Sequence, residues 1–216
     1  MSKMFKTVTQ TWNPFTGCRF GCSYCWAKKL ALGKCKYPDF EPTFHPERLK
    51  KKFKADDFVF VTSMGDISFC RGAGLSLIKK YIEQSPTTFL IQTKNPSIFE
   101  SDWPENTVHG TTIESNRCSN VSKAPCPVFR YQAIKEDRHP HKFLSIEPIM
   151  DFDLDIFLSW IKDINPGIIE VGADNYRNNL PEPPPEKLAA LLRGMEDAGL
   201  NVKQKDGLSR LLEVKK

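Results

Sequence analysis

The sequence predicts one α/β domain built from parallel βαβ units. Six short runs rich in β-branched and aromatic residues recur along its 216 residues. Between them lie stretches whose apolar residues repeat at the i, i+3, i+4 spacing of a helix with one buried face. Strands that alternate with helices are joined by crossovers, and crossovers pair strands in parallel. Six such units in this length suit an open or incomplete barrel or a doubly wound sheet. In either architecture the functional face lies at the C-terminal strand ends.

The first run is Thr7 to Thr11, and a helical segment follows from about Tyr24 to Leu32. The second run, Phe58 to Thr62, leads to a helix carrying Leu75, Ile78 and Ile82 on one face. The third is Thr88 to Gln92 and the fourth Val108 to Ile113, with a helical segment at Val128 to Lys135 behind it. The fifth, Lys142 to Ile146, precedes a helix through Phe157, Trp160, Ile161 and Ile164. Ile168 to Val171 is the sixth. Leu188, Leu191, Leu192 and Met195 mark the last helix, which Pro185 is placed to start and Gly199 to stop. The proline-rich stretch PEPPPE (181–186) is too short for a boundary and reads as a stiff lead into that helix. Residues 1–216 therefore read as a single domain, with no internal repeat.

With 40% apolar and 26% charged residues the composition is that of an ordinary globular protein. No stretch approaches the ~20 apolar residues of a membrane span. The opening MSKMFKTVTQTW lacks a signal-peptide core, so a cytoplasmic protein is expected. The formal charge of +5 is compatible with an anionic partner and is also common among plain enzymes. The densest basic run, RLKKKFK from Arg48 to Lys54, reads as a solvated helix face rather than a nucleic-acid patch. Seven cysteines in a reducing compartment are expected to be thiols rather than disulfides. Cys35, Cys70, Cys118 and Cys126 are scattered and read as small buried hydrophobes.

The other three cysteines fall in TGCRFGCSYCWA (16–27), spaced Cys18-x3-Cys22-x2-Cys25. Gly17 and Gly21 let this loop bend tightly. A structural zinc site takes four ligands, usually in two pairs, and would have to recruit Cys35 or His45. An electron-carrier cluster also takes four cysteines. A four-iron cluster held by three leaves one iron open to a substrate. A catalytic cluster, a zinc scaffold in a structural or nucleic-acid-interaction protein, and an electron carrier are thus the readings the spacing leaves open.

The stretch Cys18-Arg-Phe-Gly-Cys22-Ser-Tyr24-Cys25 resembles the cysteine signature of the radical S-adenosylmethionine (radical SAM) superfamily, including the aromatic residue before the third cysteine. The resemblance implies a partial (β/α)6 TIM-type barrel. It implies a [4Fe–4S] cluster on Cys18, Cys22 and Cys25, with S-adenosylmethionine (SAM) chelated at the open iron through its amino and carboxylate groups. The implied reaction is reductive cleavage of SAM to methionine and a 5′-deoxyadenosyl radical, which abstracts hydrogen from a substrate. On the same resemblance Gly65-Asp66, after the second run, would grip the SAM amino group, although Gly and Asp also form ordinary turns. Lys94 would reach the SAM carboxylate, although a surface lysine could also snorkel there. Glu114 would accept the ribose hydroxyls, with Asn116 or Arg117 as supplements. Tyr24 would pack beside the adenine, and Gly172 would clear space for it. Trp12, Asn13 and Trp26 would shield the cluster loop. Glu114 and Glu147, aimed at one mouth with other strand-end carboxylates, are expected to disfavour each other's ionisation.

TWNPFTGC, SMGD, QTKNP, GTTIES and SIEPIMDFD resemble a narrower group, and span most of the chain up to about residue 175. That group is the small radical SAM proteins related to spore photoproduct lyase, with the phage-type radical SAM proteins of unassigned function. Carried over by position, lyase-like SAM contacts fall on Asp66, Lys94 and Glu114. The resemblance stops at the substrate. Neither Cys118 nor Cys126 matches the lyase's hydrogen donor, and no DNA-binding extension is evident, so a nucleic-acid substrate stays open. A flavodoxin or ferredoxin is the implied electron donor, and the Arg48–Lys54 run is a candidate dock for such an acidic carrier or for nucleic acid.

Overall fold

The fold, a computed structural model, describes residues 5–213. Its elements in chain order are β1 (Gln10–Trp12), β2 (Phe15–Thr16), α1 (Trp26–Leu32), β3 (Thr43–Phe44), β4 (Phe58–Val61), α2 (Gly72–Glu83), β5 (Thr88–Thr93), β6 (Thr107–Thr112), α3 (Pro127–Glu136), β7 (Lys142–Ile146), α4 (Leu154–Ile164), β8 (Ile168–Val171), α5 (Pro185–Asp197) and β9 (Val202–Gln204). Seven strands make one parallel sheet in the order β1-β4-β5-β6-β7-β8-β9. It curls into a half-barrel, the partial TIM-type barrel that the sequence implies. The two-residue strands β2 and β3 pair separately and antiparallel. Among the described residues no helix is long and apolar enough to cross a membrane.

The alternation along the strands divides the interior in two. Val59, Val61, Phe89, Ile91, Leu144 and Ile146 turn outward and join Ile78, Ile82, Phe157, Ile161, Leu188 and Leu191 of the helices in the main core. Phe60, Leu90 and Phe143 turn inward and meet Phe5 and Val8. Phe5 is fully buried, its ring 5.1 Å from that of Phe60 and 4.9 Å from that of Phe143. The chain's own N-terminal segment therefore fills the lower part of the concave face.

Several expectations are corrected. The first strand starts at Gln10, not Thr7, because the preceding residues are bound elsewhere. The buried carboxylate of Glu170 accepts the amides of Lys6 and Thr7, both at 3.0 Å, and the Thr7 hydroxyl at 2.8 Å. A seventh strand, β9, completes the sheet; its VKQ has one apolar residue and gives no pattern to read. The helix after the cysteines starts at Trp26 rather than Tyr24, once Cys25 has capped it. Only Pro46–Lys50 of the basic region is helical, as a 3-10 turn. Arg48 is no solvated residue either: its Nη1 donates to Asn13 O at 2.9 Å, and its own carbonyl accepts Trp12 Nε1 at 2.9 Å. Lys51 and Lys54 follow this turn, and the Lys51 ammonium donates to Thr11 O of β1 at 3.0 Å.

Cys70 is buried as expected, but Cys35 is exposed. Cys118 and Cys126 are joined as a disulfide rather than buried apart. They close the loop between β6 and α3, where a Cα separation of 5.5 Å lies within the range a disulfide spans.

Emptying the concave plug tests this architecture. Phe5→Ala is expected to lower stability by about 3–5 kcal/mol, as for a fully buried ring, read as a lower urea midpoint.

Candidate active site

The period of two that buries Phe143 and Leu90 inward also decides what reaches the mouth. Counting up from Leu90 gives Gln92 and Lys94, and from Phe143 gives Ser145 and Glu147. Val108, Gly110, Thr112 and Glu114 form one inward row, and Ile168, Glu170 and Gly172 another. The concave face is thus apolar at its base and polar at the C-terminal strand ends, with Lys94, Glu114, Glu147 and Gly172 on the inner side.

The cysteine loop is stitched to this rim by backbone. Gly17 N–H donates to Met64 O at 2.9 Å and Asp66 N–H to Gly17 O at 3.2 Å, so Gly17 and Gly65 lie back to back. A Cβ on Gly65 would stand 2.6 Å from Gly17 O, and one on Gly17, at φ +87°, 2.1 Å from Glu41 O. Gly65 thus serves a close approach between two loops of the protein. Cys18 N–H donates to Phe40 O at 3.0 Å. Asn13 contributes a carbonyl to the same joint: its Oδ1 accepts Met64 N–H at 2.9 Å and the Ser63 hydroxyl at 3.1 Å.

Each thiol of the loop has a polar neighbour. Cys18 Sγ accepts Phe20 N–H at 3.4 Å, Cys25 Sγ accepts Lys28 N–H at 3.3 Å, and Cys22 Sγ lies 3.2 Å from Ser122 Oγ. Burial, with Asp66 adding to it, pushes the Cys18 thiol far up, and burial raises Cys25 as well. Such thiols stay protonated at neutral pH unless a metal displaces the proton, which is what a coordinating cation does. Among the described residues no three His, Cys, Asp or Glu side chains, the three loop cysteines included, gather as a metal ion requires, and neither Cys35 nor His45 joins them. His45 Nε2 is instead 2.8 Å from Thr16 Oγ1.

Four of the sequence-selected residues meet above the loop. Asp66 is buried, and its carboxylate takes four protein donors. Ser68 N–H (3.0 Å), Ser68 Oγ (2.7 Å) and Thr93 Oγ1 (2.6 Å) bind Oδ1, and Lys94 N–H binds Oδ2 (2.9 Å). It ties the end of β4 to the end of β5 and thereby places Lys94. The Lys94 ammonium lies against Glu114 Oε1 and Tyr24 Oη, 4.4 Å from the centre of the Tyr24 ring. Tyr24 donates to the same Glu114 oxygen. On the other side Arg130 Nη1 pairs with Glu114 Oε2 at 2.8 Å. Arg130, from α3, was not among the candidates, and it is only 4% exposed.

Burial alone would raise the Glu114 carboxyl, but Lys94 and Arg130 outweigh it and hold it down to about 2. Burial works against the Lys94 charge in the same way, and Glu114 overrides it to raise Lys94 above the ordinary lysine range. Burial and then Glu114 push Tyr24 well up, so it stays neutral. The expected mutual suppression therefore does not hold at Glu114, where the two cations prevail. At Glu147 it does: burial raises the carboxyl and the Glu170 carboxylate adds to the rise, against the opposing pull of the Lys205 ammonium bound to it. The missing Cβ of Gly172 is filled by that carboxylate, with Glu147 Oε1 2.6 Å from where a Cβ would stand, so the gap seats Glu147. Asn116 and Arg117 turn outward to Asp153 and do not join the cluster.

Two buried acceptors, Gln92 Oε1 and Thr62 Oγ1, have no hydrogen-bond partner among the described residues. Native proteins leave few such atoms, and many of those they leave face a ligand or water.

A family model described as "Protein of unknown function (DUF5131)" matches residues 3–172. The chain also superposes on the crystal structure of a radical SAM methyltransferase from Sphaerobacter thermophilus, with a TM-score of 0.58. The likeness covers 95% of this chain and 69% of that one at 10% identity, which is a likeness of fold. No curated protein matches the sequence.

Arg130→Leu takes one of two cations from the buried Glu114 carboxylate, with Lys94 remaining, and is expected to cost about 1.5–3 kcal/mol in urea unfolding. The pH dependence has a definite sign. Glu114 titrates at about 2 when folded against an ordinary value of 4.5. Its contribution is therefore complete above pH 4.5 and lost as pH falls toward 2. Stability should fall across that window, and Glu114→Gln should flatten the fall.

Proposed function

The chain belongs to the DUF5131 family, and we propose that it is a radical SAM enzyme in which Cys18, Cys22 and Cys25 hold a [4Fe–4S] cluster and SAM binds at the fourth iron. One observation carries the reading: the three-thiol loop enters α1 at the strand-end mouth of a parallel half-barrel whose fold is that of a radical SAM methyltransferase. When bound, the two cofactors supply one-electron cleavage of the sulfonium and, through it, hydrogen-atom abstraction from a substrate.

The protein's part is to bind, orient and keep the site dry. Lys94 and Arg130 carry two positive charges against the single negative charge of Glu114, with Tyr24 neutral. With the buried Asp66 carboxylate counted the group is balanced, and Lys94 is its cation for a ligand carboxylate. Lys94 would hold the SAM carboxylate and Glu114 the ribose hydroxyls. Asp66 Oδ2, with one backbone donor, keeps a lone pair for the SAM ammonium. The Tyr24 ring supplies a flat apolar surface for the adenine. A flavodoxin or ferredoxin supplies the electron. Lys28 and Lys34, exposed on α1 and the turn behind it, offer an acidic carrier a dock on the cluster side. The substrate is one that enters at the mouth, past Glu147 and Lys205.

Anaerobic reconstitution with iron and sulfide tests the reading. About four irons per chain and SAM-dependent 5′-deoxyadenosine are expected after reduction with dithionite, and Cys25→Ala should abolish the nucleoside. One zinc per chain with no nucleoside would overturn the assignment. Lys94→Ala and Glu114→Ala should weaken SAM binding while the visible spectrum of the cluster persists.

A further inference from the structure

None of the roles above uses residues 118–126 of the loop between β6 and α3, yet this stretch lies against the cysteine loop along three residues. Ser23 N–H donates to Val121 O at 2.9 Å, and Lys123 N–H donates to Phe20 O at 2.7 Å. Between these two bonds Ser122 Oγ sits 3.2 Å from Cys22 Sγ. Ser122 Oγ already accepts Ala124 N–H at 3.0 Å, and its nearest alternative acceptor, Phe20 O, is farther away at 3.5 Å. Its proton is thus best placed for the sulfur once Cys22 is a thiolate. Both ends of the loop are held. Cys118 and Cys126 are bonded across its base, and Arg130 Nε donates to Pro125 O at 2.9 Å with the same guanidinium that pairs with Glu114.

We propose that the 118–126 loop is the second wall of the metal centre: Ser122 is a positioning residue whose hydroxyl donates to the Cys22 thiolate, and the Cys118–Cys126 cross-link keeps the wall closed over it. The proposal rests on the reading of Cys22 as a cluster ligand. A hydroxyl donor to a ligating sulfur stabilises the more negative, reduced cluster and so raises its potential. The two bonds from the flanking backbone fix where the hydroxyl stands. The cross-link limits how far the loop can swing away, and with it the exposure of Cys22.

Two measurements test this, one without any metal. In the full metal-free chain, brief anaerobic iodoacetamide labelling with peptide mass spectrometry reads each thiol separately. Replacing both Cys118 and Cys126 by Ser should speed labelling of Cys22 about tenfold, the effect of easier local opening, while exposed Cys35 is unchanged. An unchanged Cys22 rate would overturn the wall. Buried Cys70 reports on global unfolding; if it accelerates too, the decision passes to Ser122→Ala, which keeps the cross-link. In reconstituted protein Ser122→Ala should keep its iron content and shift the cluster midpoint potential to a more negative value, and Ser122→Thr should restore it. An unchanged potential in Ser122→Ala would overturn the role of Ser122. If the parent chain assembles no cluster, the reading of Cys22 as a ligand fails, and the labelling experiment still decides whether the loop is a wall.

Discussion

The carboxylate of Glu114 is the group on which the rest of the mouth depends. Taking an ion out of water costs several kcal/mol, and the cost is offset only where opposite charges and hydrogen bonds surround it closely. Here the surrounding groups come from three other segments: Tyr24 from the cysteine loop, Lys94 from the end of β5 and Arg130 from α3. Each must be in place for the others to be tolerable. The ion cluster therefore sets the cysteine loop, the sheet and the helix in one mutual register. The role of α3 follows from this. Its buried stripe is Pro127, Arg130 and Ile134, so it docks through a guanidinium as much as through apolar area.

The same loop is also fixed by sterics at its other end. Gly17 and Gly65 meet with no side chain between them: a Cβ on Gly65 would strike Gly17, and one on Gly17 would strike Glu41 on its other side. Backbone contact sets the distance between the cysteine loop and the sheet, and the ion cluster sets its orientation. The mouth is thereby a frame held by backbone contact and ion pairs together.

Much of this was legible in the sequence. The strands β4 to β8 announce themselves by β-branched and aromatic runs, and the main helices by their 3.6-residue period. The strand-end rule then led to Asp66, Lys94 and Glu114 by position alone, and these do come together beside the cysteine loop. What escaped had long-range causes. The first strand is displaced by Glu170, more than 160 residues away, and no local pattern carries that. The pairing of Cys118 with Cys126 depends on a loop geometry that eight residues of separation do not specify. A compartment argument about thiols pointed the other way. Arg130 did leave a signal: it stands three residues after Pro127 and four before Ile134, on the stripe a helix buries. A charged residue at such a position asks for a buried partner, and Glu114 is the acid that answers it.

A parallel sheet has to be covered on both faces. The helices pack against the outer face. On the inner face, Phe5 and Val8 cover the base, but above them the strands turn polar, and apolar packing cannot continue. Gln92 spends its amide on Thr112 at 2.8 Å and leaves its carbonyl oxygen unpartnered. A buried acceptor in that state costs about 1–3 kcal/mol, which a chain folding only for stability would avoid with an aliphatic residue. A polar upper layer above an apolar plug is instead what a half-barrel needs if its inner face is completed by a ligand.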